Sequence, residues 1–79
     1  IFPQYMINVD VKEKPELSTL TALTEAVAKA EAELGDEGRV LIRYSGTQPM
    51  CRVMVEGPSE AVTQRLTEEL ADVVRKSIG

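Results

Sequence analysis

Two short segments, RVLIRYS at 39–45 and MCRVMVE at 50–56, are rich in β-branched and other apolar residues and are separated only by GTQP, a set of turn formers. Strand-like runs this close together pair as an antiparallel hairpin. Its register is then decided by the side chains, because a slip of one residue sends apolar groups to the wrong face of the sheet. One register sorts them well. Val40 faces Val55, Ile42 faces Val53 and Tyr44 faces Cys51 on one side, while Leu41 faces Met54 and Arg39 faces Glu56 on the other. The same register sets Arg43 opposite Arg52 beside the turn, where like charges across a ladder are destabilising.

The rest of the chain supplies what this hairpin packs against. Residues 5–12, YMINVDVK, alternate Tyr5, Ile7, Val9 and Val11 with Met6, Asn8, Asp10 and Lys12, the period-two pattern of a strand with one buried face. Pro15 ends it. Ser18 is read as the N-cap of a first helix, whose inner positions Leu20, Leu23, Val27, Ala30 and Leu34 recur at helical spacing until Gly35 stops it. After GPS a second helix begins, with Ser59 as its cap and Val62, Leu66, Leu70, Val73 and Val74 as its inner stripe. The expected fold class is α+β, a single domain over 1–79 with the order β-α-β-β-α. Its mainly antiparallel sheet has three strands, with room for a fourth at an edge before Tyr5. Both helices lie on the face carrying Ile7, Val9, Val40, Ile42, Val53 and Val55. Strand order does not follow from the pattern.

A domain of 79 residues buries only about 60% of the surface its unfolded chain exposes, which leaves little slack for discordant charges. The formal charge of −4 opposes a general affinity for nucleic acid, and Phe2, Tyr5 and Tyr44 are too few aromatics for an RNA-stacking sheet. No apolar run approaches the roughly 20 residues of a membrane-spanning helix. The chain has no histidine, so the commonest general base and zinc ligand are absent, and its single cysteine, Cys51, makes no internal disulfide. A cytoplasmic protein is expected. Because the sequence opens on Ile1 with no signal segment after it, we expect a piece of a longer chain.

A local rule broken inside a consistent pattern marks a candidate site. Between Arg43 and Arg52 lie Ser45, Gly46 and Thr47: two hydroxyls and a glycine free to take positive φ, so that successive backbone N–H groups converge on an anion. Arginine suits bidentate contact with phosphate oxygens, and a phosphoryl group is the best candidate ligand. The competing reading is an ordinary S-G-T turn between two exposed arginines that repel by only about 1 kcal/mol.

The stretch RVLIRYSGTQPMCRVMVEGPSEA resembles the C-terminal, fourth domain of the α-D-phosphohexomutases. The family loop R-x-S-G-T-E-P is matched by Arg43, Ser45, Gly46, Thr47 and Pro49, and the run from Arg52 to Pro58 narrows the resemblance to bacterial members that act on glucosamine phosphates. It extends over essentially the whole chain. The resemblance implies a multidomain isomerase of amino-sugar and cell-wall precursor synthesis. Its phosphoserine, Mg²⁺ loop and sugar-recognition residues lie in other domains. Its partners are the sugar phosphate and those domains, with no nucleic acid and no membrane. Arg43, Ser45, Gly46 and Thr47 would then hold the substrate phosphate, Arg52 would add a supporting charge, and no residue of this chain would be catalytic or bind metal. Gln48 stands where the family usually has Glu, keeping an acceptor and adding donors as a further support, and Tyr44 replaces a frequent proline.

Other features read more simply. Cys51, with no histidine to activate it, is expected to be a core residue. Glu31, Glu33, Asp36 and Glu37 read as solvated charge at a helix end, and Asp10 and Glu56 as carboxylates on different strands without a cleft. The alternatives kept beside the clamp are the matching domain of a phosphomannomutase or phosphoglucomutase, and a free-standing small anion-binding module.

Overall fold

The structure, a computed structural model, describes residues 2–79. Strand β1 spans Gln4–Asp10, helix α1 Thr21–Leu34, strands β2 and β3 Arg39–Tyr44 and Met50–Glu56, and helix α2 Glu60–Ile78. The three strands are antiparallel in the order β1-β3-β2, so the last strand inserts between the first two. Every hairpin pair expected from side-chain sorting is present, including Ile42 with Val53 and Arg43 with Arg52. Among the described residues there is no fourth strand. Of the described residues before β1, Pro3 offers its carbonyl, which accepts from Gly57 N–H at 3.1 Å.

The core lies between one sheet face and the two helices. Val9, Val53 and Val55 meet Leu23, Ala30 and Leu34 of α1 and Leu66, Leu70, Ala71, Val74 and Ile78 of α2, all buried. Each fully buried Val, Leu or Ile side chain contributes about 1.5–3 kcal/mol. Thr63 and Thr67 are also buried, and each hydroxyl donates to the carbonyl four residues back, at 2.6 Å, so neither leaves a polar group unsatisfied. As expected, Ser59 caps α2, its Oγ accepting from Val62 N–H at 3.3 Å. Gly35 ends α1 with φ 56°, a left-handed conformation that side chains other than glycine's strain to adopt.

The start of α1 differs from the sequence reading. Ser18 is not its cap: Leu17–Thr19 form a 3-10 turn, and α1 begins at Thr21 with Leu20 in the cap position. The cause is tertiary. Tyr44 Oη donates to the Pro15 carbonyl at 2.5 Å, and Leu17 and Leu20 pack against the core. This geometry is held locally by Thr19, whose N–H and hydroxyl both donate to the Glu16 carbonyl, at 2.9 and 2.6 Å. Strand β1 likewise ends earlier than 5–12, but Val11 and Lys12 keep backbone partners, donating to Pro49 O at 2.9 Å and Ile78 O at 2.7 Å.

Candidate functional site

On the open face of the sheet, the antiparallel register sets residues in rows. Gln4, Glu56 and Arg39 form one row, Met6, Met54 and Leu41 the next, and Asn8, Arg52 and Arg43 the third. The first row is internally paired, with Arg39 Nε 3.3 Å from Glu56 Oε1 and Gln4 Nε2 donating to Glu56 Oε2 at 3.3 Å. The third is not. Arg52 Nε makes a long 3.5 Å bond to Asn8 Oδ1, and among the described residues neither Arg43 nor Arg52 has an ion pair, although both are exposed.

The turn above this row is braced in a particular way. Ser45 N–H donates to Met50 O at 2.8 Å, extending the ladder one step, but the return bond is missing because Met50 N–H donates to Gln48 O at 2.8 Å. The Ser45 carbonyl is taken instead by Lys14 Nζ at 2.7 Å. Within the loop, Ser45 Oγ accepts from the Thr47 and Gln48 amides at 3.4 and 3.3 Å. This occupies the oxygen's acceptor sites and leaves its hydrogen for an outside acceptor. Gly46 N–H has no acceptor among the described residues.

Arg43, Ser45, Gly46 and Arg52 therefore line one depression of about 480 Å³, together with Met6, Leu41, Tyr44 and Met54. Thr47 and Gln48 are exposed on the loop outside this lining. The convergent nest expected from Gly46 is not formed. Gly46 lies outside the positive-φ region, and Ser45 Oγ captures two of the amides that such a nest would present.

Two features escaped the sequence reading. Lys14 places a third cation at the loop, and Asn8 holds the flank of Arg52. Asn8 was legible as an open-face residue, but its neighbour was hidden until β3 was known to lie beside β1. For Lys14 the only signal was a basic residue shortly after a strand.

The candidates expected to be structural fall where their chemistry puts them. Cys51 is fully buried, which pushes its thiol up from the usual 9.0 and away from the nucleophilic thiolate. Tyr44, on the core face, is also pushed up, first by burial and then by Cys51 and Glu13. Asp10 and Glu56 stand at opposite ends of the β1–β3 ladder. Glu33 is held by Arg65 in an ion pair joining α1 to α2. Among the described residues no group of three or more acidic or cysteine side chains converges as a metal site, and the depression itself is lined by cations, which repel one. No helix among them is long and apolar enough to cross a membrane.

Comparison with known proteins follows the same geometry. The family profile described as phosphoglucomutase/phosphomannomutase, C-terminal domain, matches residues 6–73. Over all 79 residues the chain is 58% identical to a phosphoglucosamine mutase of Syntrophobacter fumaroxidans and 52% identical to one of Syntrophus aciditrophicus. In each case it spans only 18% of the relative's length. Its fold is similar to part of an Aspergillus fumigatus N-acetylphosphoglucosamine mutase solved with GlcNAc-6P and magnesium, with a TM-score of 0.80 at 23% identity, covering 94% of this chain and 16% of that one. By the profile match over most of its length, the chain belongs to the family of phosphoglucomutase/phosphomannomutase C-terminal domains.

Proposed function

We propose that this chain is the substrate-phosphate clamp of a cytoplasmic phosphoglucosamine mutase, the isomerase that interconverts glucosamine-6-phosphate and glucosamine-1-phosphate. The observation that carries the reading is the Arg43–Arg52 pair, opposed across the ladder and, among the described residues, without a carboxylate partner, beside a loop whose Ser45 hydroxyl and Gly46 N–H have no acceptor there. Glucosamine phosphates are favoured over the mannose and glucose alternatives by the 58% identity to a phosphoglucosamine mutase.

In this reading the chain does no covalent chemistry. The phosphoserine and Mg²⁺ belong to other domains of the longer protein, consistent with the 18% share of the relatives that this chain spans. The clamp binds, orients and helps exclude water while the phosphoryl group moves elsewhere, with closure by hinge motion at the domain boundary. Arg43 supplies a planar fork for two phosphate oxygens, and Arg52 adds charge with its Nε already directed to Asn8.

The test is titration of the 79-residue chain with inorganic phosphate and with glucosamine-6-phosphate, followed by amide chemical shifts. An open loop without the sugar contacts of other domains should bind with a dissociation constant on the order of millimolar, about −4 kcal/mol. Ser45, Gly46, Thr47 and Gln48 respond first, and binding fades with salt. Shifts scattered over the surface would leave S-G-T as only a turn. A coupled mutase assay on the same chain should show no turnover, and turnover scaling with its concentration would overturn the division of labour.

A further inference from the structure

Resting on that phosphate reading, we infer that Lys14 is a positioning residue for the loop, setting the orientation of the Ser45–Gly46 peptide. At the end of the ladder the Ser45 carbonyl is orphaned, because Met50 N–H, its ordinary partner, has turned to Gln48 O at 2.8 Å. An unpaired carbonyl beside a glycine is the group whose peptide plane can flip most cheaply. A flip here would aim an oxygen, rather than an N–H, at an incoming anion. Lys14 Nζ binds that carbonyl at 2.7 Å. In a trans peptide the C=O and the following N–H point in opposite directions, so the Gly46 N–H is held facing away from Lys14.

The two sides of this peptide are different places in the fold. Lys14 lines one depression with Pro15, Glu16, Leu17 and Ser18, and Gly46 lines the one that holds Arg43 and Arg52, with Tyr44 bordering both. Lys14 has acidic neighbours at Glu13 and Glu16 but forms an ion pair with neither among the described residues, so its hydrogen bond is committed to the loop. The backbone next to Lys14 is itself anchored, where Tyr44 Oη donates to the Pro15 carbonyl at 2.5 Å. Consecutive residues 14 and 15 thus grip consecutive residues 45 and 44.

The experiment compares the parent chain with Lys14→Met, which keeps the stem and removes the donor, and with Lys14→Arg, which restores one. Ser45 carbonyl and Gly46 amide shifts are recorded without ligand, and inorganic phosphate is then titrated at low and at high salt. Lys14→Met should move both resonances before any phosphate is added and raise the dissociation constant about fivefold at both salt concentrations, because the direction of an N–H is not screened. Lys14→Arg should recover most of the affinity, and neither variant should shift the unfolding midpoint appreciably, since residue 14 is exposed. The inference is overturned if Lys14→Met titrates like the parent, or if the difference vanishes at high salt, which would make Lys14 a distant charge only. A parent chain that gives no loop response to phosphate sinks the clamp itself, a different result from a parent that binds and a variant that binds equally well.

Discussion

Arg43 and Arg52 stand directly opposite each other across the β2–β3 ladder, with no carboxylate between them, two positions from the Ser45 N–H to Met50 O bond that closes the hairpin. Elsewhere on the open face Arg39 is paired with Glu56, and the uncharged row of Met6, Met54 and Leu41 lies between that pair and the arginines. In the proposed clamp a bound phosphate relieves this repulsion.

Arg43→Ala is accordingly expected to abolish the phosphate-dependent amide shifts of the loop while leaving the unfolding midpoint unchanged or slightly raised, within about 0.5 kcal/mol. Arg52→Ala should weaken the response less, being the flanking charge. Titration and denaturant unfolding of the same two variants check both halves. An Arg43→Ala chain that titrates like the parent contradicts the clamp.

Tyr44→Phe removes the bond from the phenol to the Pro15 carbonyl and nothing else of comparable strength. The expected cost is about 1 kcal/mol, read as a lower thermal midpoint. Amide exchange should quicken at Thr19 and Leu20, whose N–H bonds maintain the 3-10 turn that this tether positions. Unchanged exchange there would show that packing of Leu17 and Leu20 alone sets the turn.

Glycine substitutions should separate two kinds of position. At Gly38 a Cβ would fall 1.9 Å from the Glu56 carbonyl oxygen, so Gly38→Ala must push β2 and the end of β3 apart, at a cost of at least about 2 kcal/mol. At Gly46 a Cβ meets nothing within 4 Å and φ lies outside the left-handed region, so Gly46→Ala should change stability by no more than about 0.5 kcal/mol. Equal losses at the two sites would mean that the loop adopts a different backbone in solution.

Alkaline pH should destabilise the fold through Cys51. Its thiol is pushed up from 9.0 by burial, so as pH rises past that value the unfolded chain gives up its proton while the folded chain retains it. The stabilising preference for the neutral thiol is fully present below the unfolded value and is lost as pH climbs toward the folded one. Tyr44 acts in the same direction from 10.0 upward. Denaturant midpoints measured from pH 7 to 10 should decline, and Cys51→Ala should flatten the part that begins near pH 9. A parent chain whose midpoint is level across that range refutes the thiol's contribution.

What the sequence determined by itself was whatever depends on neighbours along the chain or directly across one tight turn. Alternation in 39–45 and 50–56 was enough to pair Ile42 with Val53 and hence Arg43 with Arg52, because a wrong register would have exposed several valines together. Helical spacing did the same for Leu66, Leu70 and Val74, and Ser59 capped α2 through a bond only three residues long. The tertiary structure decided what depends on distant segments meeting. It placed β3 between β1 and β2, which set Asn8 beside Arg52, and it moved the start of α1 past Ser18 because Tyr44 holds Pro15. It also gave the orphaned Ser45 carbonyl to Lys14, 31 residues earlier in the chain, and spent the loop amides on Ser45 Oγ instead of opening them as a nest. Local periodicity reports which face of an element is apolar; it carries no record of which polar groups will be left without partners once the elements pack.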